Sequence, residues 1–435
     1  MRSRTVIALF LAVVLTSISA TPTQLAATSN VLPQAITAPM LPGTTIPINA
    51  TFGNQTNPSV ACNIASFTND DFEGTSSIRY FDFATNTEHV VPGDGLDRLS
   101  DTDGQRIAFT QLEADGDHIN IFDVASQTIT QIPGVWNSDP VLGGNLVAFV
   151  HSDRTNANTS EISVYDRSTG TATQLTHDAV QDWQPAISPD GHVVVWEKCD
   201  STGCDLYAAT QTGPGAFTTR LVSSDGENQS PDTNGQVIVY TSTKGGDNDI
   251  YVQPVSGANE MHLSLPGDQR DLRISGNLLV FESQVSDGSY DVFVYDLSTA
   301  RLFQVTNTPG VSETLSDIVA GCNGVNRIVY SIPGGADFDA YAFTFQLNDS
   351  VVDQLNDLLA LVRSFNLHDG TEASLITKLQ DALTAVSASN TPTACDSLTA
   401  FINASQAQSG KKLTADQVKQ LVDSATQIKS DLGCQ

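Results

Sequence analysis

The chain has 435 residues, enough for two or three domains and a large buried core. Its 49 acidic residues against 20 basic ones give a formal charge of −29. Such a surface repels nucleic acid and anionic membranes and argues against both as partners.

Residues 1–20 read as a secretory signal. Arg2 and Arg4 form a basic start, Val6–Leu15 is an unbroken apolar run, and Ser17, Ser19 and Ala20 are the small residues of a cleavage region. The apolar run is too short for a membrane span, though an uncleaved N-terminal anchor is the alternative. No later stretch reaches spanning length, so no membrane span is expected in the mature chain. The expected location is secreted and extracellular, with the periplasm as the alternative. Residues 21–43, rich in Thr, Ala and Pro, read as a flexible leader.

From residue 44 to 347 one pattern recurs. An apolar strand is followed by an Asp/Gly/Asn turn, a strand ending near an aromatic residue and Asp, and a Thr/Gln/Val strand. The first strand of the pattern begins at Ile64, Ile107, Val147, Val193, Val237, Leu279 and Ile328, at spacings of 40 to 49 residues. That is the period of four-stranded propeller blades. Such strands are short, β-branched and aromatic, and stacking the blades in a ring buries both their faces. The expected fold is an all-β seven-bladed β-propeller, with six blades and a decorative hairpin as the alternative. The seventh copy lacks an outer strand, and a spare one, Thr45–Ile48, precedes the first copy. The N-terminal strand is therefore expected to complete the last blade.

Six cysteines fit an oxidising compartment and allow many pairings. Position favours one set. Cys62 and Cys322 occupy matching turns in blades that a seven-membered ring makes neighbours. Cys199 and Cys204 flank one hairpin turn, which leaves Cys395 with Cys434.

At Gln184–Gly191, followed by Val193-Val-Val-Trp196, the repeat resembles the PD40 or TolB-type (WD40-like) propeller repeat. Asn57-Pro58, Asp139-Pro140 and Ser230-Pro231 are partial echoes, and Asp249–Val252 is similar to that repeat's third strand. The resemblance spans residues 44–347 and implies a propeller fold, which serves many roles.

After residue 350 the apolar period changes from two to 3.6. Val351, Val352, Leu355, Leu358, Leu359, Val362 and Phe365 line one helical face. A second helix is expected over Thr371–Ala388. A third starts at Thr391-Pro392 with Thr391 as cap, and a fourth at a capping box, Thr414-Ala-Asp-Gln417. The expected C-terminal domain, 350–435, is a small four-helix bundle tied by Cys395–Cys434. Phe401–Gln408 and Gly410–Thr414 carry a similarity to the FIMAH domain, which implies an accessory domain of an exported bacterial protein.

Recognised catalytic motifs are missing from the sequence. There is no Gly-x-Ser-x-Gly elbow and no domain after the propeller large enough for an α/β-hydrolase, against a prolyl-oligopeptidase type of peptidase. There is no phosphate-binding loop or dinucleotide fingerprint, and none of the seven histidines has zinc-site spacing. No cofactor is expected. Calcium is the alternative, at Asp70-Asp71, Asp115-Gly-Asp117 or Asp247-Asn-Asp249, where Asp and Asn equally serve to shape hairpins.

The remaining candidate site is the channel mouth, where residues opening the innermost strands gather: Asp97, Arg98, Trp136, Asp139, Asp182, Trp183, Arg270, Asp271 and Glu313. The tryptophans beside carboxylates could stack on a sugar ring, or pack between blades. The leading expectation is a secreted binding or scaffold protein for a protein, peptide or glycan. The alternatives are a polysaccharide lyase or glycosidase using mouth carboxylates, and a periplasmic TolB-like member of an envelope complex.

Overall fold

A computed structural model describes residues 36, 38–49, 52–93, 96–153, 159–334, 337–347, 351–365, 367 and 369–434. The signal, most of the leader and His368 lie outside the described residues.

Seven antiparallel four-stranded sheets form the propeller. Blades 1 to 7 begin with the innermost strands Asn54–Ala61, Asp97–Thr102, Asn137–Gly143, Gln181–Ile187, Asn228–Thr233, Gln269–Ser275 and Thr314–Cys322. The expected seven-fold ring is therefore present. Each second strand works for two seams, because successive side chains point to opposite faces. On blade 1, Ile64 joins the apolar cluster shared with blade 2, while Ala65 and Phe67 join the one shared with blade 7. All seven seams carry such a cluster.

The ring closes as the spare strand implied. Gly43–Pro47 pairs antiparallel with Phe338–Phe345, so blade 7 takes its outermost strand from the start of the chain. Cys62–Cys322 bridges blades 1 and 7 across 260 residues of sequence. Cys199 and Cys204 face each other in one hairpin and are bonded. The end of the segment read as a leader packs on the ring: Leu41 is buried in the seam between blades 6 and 7, and Ile36 in the one between blades 5 and 6.

Four helices follow, α1 (Val351–Ser364), α2 (Asp369–Ser387), α3 (Thr391–Ala407) and α4 (Ala415–Asp431). They share one core that includes Leu355, Leu379, Leu398, Phe401, Leu421 and Ile428. Cys395 on α3 is bonded to Cys434. The capping box at Thr414 and Gln417 is formed. The start of α3 differs from expectation by one residue. Asn390 is its cap, accepting from the Thr393 N–H, and Thr391 is the first helical residue beside Pro392. Asn is as good a cap as Thr, and Pro suits the first turn, where its missing N–H costs nothing. Arg301 on blade 6 meets Asp353 of α1 at 2.8 Å and ties the bundle to the ring. No helix among the described residues is long and apolar enough to cross a membrane.

Candidate functional site

The mouth is the end of the ring at which the innermost strands begin. One polar residue per blade opens them: Gln55, Asp97, Asn137, Asp182, Asn228, Gln269 and Glu313, all essentially inaccessible to solvent. They bond within the blade they open or to the end of the blade before it, and hold the mouth loops. Gln55 donates to the Gly53 carbonyl and Gln269 to that of Gly267, each at 2.6 Å. The Trp196 indole donates to Asp182 at 2.9 Å, and Thr306 and Thr308 donate to Glu313. Asp97 packs beneath the turn at Gly93. Of the expected site residues, Asp97, Asp182 and Glu313 thus lie behind the mouth.

The other six reach it in three groups. Between blades 2 and 3, Arg98 pairs with Asp117 at 3.2 Å, close to Asp139, and the Trp136 ring covers the hairpin at Gly116. Burial lifts the Asp139 carboxyl above its ordinary range; Arg98 opposes the shift and Asp117 adds to it. On blade 4, Trp183 is 39% exposed. Behind it burial pushes Asp182 up to about 6 against the pull of Lys198. On blade 6, the Arg270 guanidinium lies 3.7 Å from the Tyr290 ring centre, 2.6 Å from Glu282 and 3.9 Å from Asp271. Burial, then the Asp271 charge, raise the Glu282 carboxyl, whose other oxygen accepts the Leu315 N–H at 2.6 Å.

A repeated backbone device sets these positions. Each innermost strand carries a bulge, and in blades 1 to 6 its residue is left-handed: Asn57, Leu99, Asp139, Gln184, Ser230 and Asp271, at φ of 47 to 53°. None is glycine, and each such conformation costs about 1 kcal/mol or more. Side chains on the preceding blade hold three of them. Thr68 accepts the Leu99 N–H, Thr110 that of Asp139, and Glu197 that of Ser230.

Beyond the bulge, one residue per blade occupies a common register level: Ser59, Asp101, Val141, Ala186, Asp232, Arg273 and Asp317. Ser59 hydrogen-bonds Asp101 at 2.7 Å and Asp317 at 3.1 Å. Each of the three aspartates accepts a backbone N–H from the next blade. Leu142 donates to Asp101 (2.6 Å), Ile274 to Asp232 (2.7 Å) and Val60 to Asp317 (2.8 Å). Burial pushes Asp101 up to about 7, with the Asp317 charge adding, and pushes Asp232 and Asp317 up to about 6. This inner ring is absent from the sequence expectation, and its chemistry is that of staples between blades.

A second missed feature is apolar. Phe52 (73% exposed) and Phe72 (48%) touch with ring centres 5.5 Å apart at the mouth end of blade 1. Phe72 stands at φ 61°, its N–H held by Asp70 at 3.0 Å. Leu96 (41%) bridges to Ser76 beside that loop, and its carbonyl accepts the N–H of Leu112 (37%) at 3.0 Å. For Phe52, Phe72 and Leu96 the signal was in the sequence as large apolar residues outside the long strands, whereas Leu112 lies near the end of one.

The acidic turns weighed for calcium use their carboxylates locally. Asp71 accepts from Glu73 and Thr75, and Asp249 lies 2.7 Å from His262. Glu113, Asp115 and His118 bring three metal-type ligand atoms within 4.8 Å of one another on one hairpin.

No family model matches the chain, and no curated protein matches it. Solved structures do. The Pyrococcus horikoshii acylaminoacyl peptidase is similar over 68% of this chain and 52% of its own, at 11% identity and a TM-score of 0.51. The chain thus spans about half the length of that peptidase. The propeller domain of the trilobed protease from Pyrococcus furiosus, described as having an open velcro topology, is similar over 69% and 97%, at 11% identity and a TM-score of 0.51. An oligogalacturonate lyase in complex with manganese is similar over 71% and 99%, at 14% identity and a TM-score of 0.51. TolB structures also match, at TM-scores of 0.39 and 0.42, too low to carry an argument. At these identities the likeness shows one thing, the β-propeller fold.

Proposed function

We propose that this is an exported binding protein whose propeller presents its channel mouth to a polypeptide, with the helical bundle as an accessory docking module. One observation carries the reading: the apolar arc of Phe52, Phe72, Leu96 and Leu112 runs beside the charged mouth that holds Arg98 and Asp117. Exposed apolar patches rimmed by charge suit protein ligands, where aromatic anchors supply affinity and rim charges supply orientation. Three disulfides and the N-terminal signal reading support export. The similarity of residues 401–414 to FIMAH supports the accessory role of the bundle.

A second reading, a polysaccharide-active enzyme, is favoured by one grouping. The Asp139 carboxyl, raised by burial, stands beside the Arg98–Asp117 ion pair, so two carboxyl groups and a cation meet at one point of the mouth.

Peptide and glycan arrays probed with the mature protein test both readings. The binding reading expects peptide ligands that are lost in Phe72→Ser and Trp183→Ala and kept in Asp139→Asn. Glycan turnover abolished by Asp139→Asn establishes the enzyme instead. An array on which both aromatic variants match the parent removes the mouth from the binding reading.

A further inference from the structure

The helical bundle carries a groove of its own, between α1 and α4, with a volume of about 970 Å³. Its floor is apolar. Ile428 is buried there, and Val351 and Leu361 are partly covered, packed on the core with one side left to the groove. Its rim is acidic, with Asp357 on α1 and Asp423 and Asp431 on α4. No basic side chain is among the residues that line it. Lys419 pairs with Asp423 from outside at 2.5 Å, while Gln354 and Gln427 donate to Asp431 at 2.6 and 2.8 Å. Lys419 thus offsets the Asp423 charge, while Asp431 is met by neutral amides and keeps its charge at the rim, on a chain that is itself at −29.

An apolar trough between two helices is the shape into which a third helical segment lays its hydrophobic face. The volume suits several side chains. Charge selects among occupants: an acidic rim repels lipid phosphate and nucleic acid and attracts lysine and arginine. We infer that the α1–α4 groove docks a basic amphipathic peptide segment of a partner protein. Apolar anchors of that segment meet Val351 and Leu361, and its cations meet Asp357, Asp423 and Asp431. The groove lies on the bundle and makes no use of the mouth residues, so it stands whatever the mouth binds.

The test is fluorescence anisotropy on the full mature protein with three labelled peptides. One is a Leu/Lys peptide of helical period, one the matching Leu/Glu peptide, and one a Lys/Ser peptide of equal charge. The expected result is saturable binding of the Leu/Lys peptide and at least about tenfold weaker binding of the other two. Leu361→Glu is expected to weaken the Leu/Lys peptide by about tenfold or more. The doubly neutralised Asp357→Asn, Asp423→Asn protein, changed only at surface positions, is expected to weaken it several-fold. Equal binding of the Lys/Ser peptide reduces the effect to general charge attraction and overturns the inference. So does unchanged affinity in both groove variants, or no binding of the Leu/Lys peptide.

Discussion

The Asp317 carboxylate on the last blade accepts the backbone N–H of Val60 on the first, at 2.8 Å. The same oxygen lies 3.1 Å from the Ser59 hydroxyl, so one side chain holds the closing seam at its channel edge. Asp317→Ala leaves a backbone donor without its acceptor and is expected to cost about 1–3 kcal/mol. Asp317→Asn keeps an acceptor for Val60 and is expected to cost less. Urea unfolding of the two variants makes the comparison.

Stability is expected to rise as pH falls from 8 to 5. Burial raises Asp101 and Glu197 to about 7 and Asp182, Asp232 and Asp317 to about 6, against ordinary values near 4. A raised carboxyl binds its proton more tightly in the folded chain. Its contribution is complete below about pH 4 and is lost as pH climbs through 6 to 7. Exposed carboxylates held low by turn hydrogen bonds, such as Asp123 and Asp166, act oppositely and weaken the fold below about pH 4. The melting temperature should therefore peak near pH 4–5 and fall by several degrees toward pH 8. Asp101→Asn should flatten that slope in a calorimetric pH series.

Removing Cys62–Cys322 by a double serine substitution is expected to cost about 2–5 kcal/mol, because the bond constrains a 260-residue loop in the unfolded chain. Removing Cys199–Cys204 should cost less, since it closes a five-residue separation whose two ends already face each other in the hairpin register. Thermal melts of both variants without reductant give the order.

Thr414→Ala breaks the capping box of α4 and is expected to cost about 1 kcal/mol. Hydrogen exchange should locate the loss in the first turn of α4 and leave the blades unchanged.

The ring, its closing strand and all three disulfides were legible because each rests on a repeat or a local motif. The seven strands from Ile64 to Ile328 keep their spacing, and Thr45–Ile48 stood as an unmatched copy. The mouth was half legible. Arg98, Trp183 and Arg270 do reach it, while Asp97, Asp182 and Glu313, one position away or less in the pattern, turn inward. Alternation makes a single residue the difference between channel and blade, and the bulge then shifts that count again. The inner ring escaped notice for another reason. Its seven positions hold Ser, Asp, Val, Ala, Asp, Arg and Asp, so no single residue type marks the level and only the pairing register brings them together. The cap of α3 was missed by one residue because Asn390 and Thr391 are both good capping residues.

Blade 7 draws on both ends of the propeller sequence, and that sets an order of assembly. Gly43–Pro47 has no partner until Phe338–Phe345 has been made, so the earliest strand of the ring waits for the latest. A nascent or translocating chain can stack six blades in sequence, yet it exposes the flank of blade 1 until the seventh arrives. The helices come next, and Arg301 meets Asp353 only after the ring has its full circumference. A truncation anywhere before Phe345 therefore strands both termini at once, and leaves an open ring rather than a slightly shorter one.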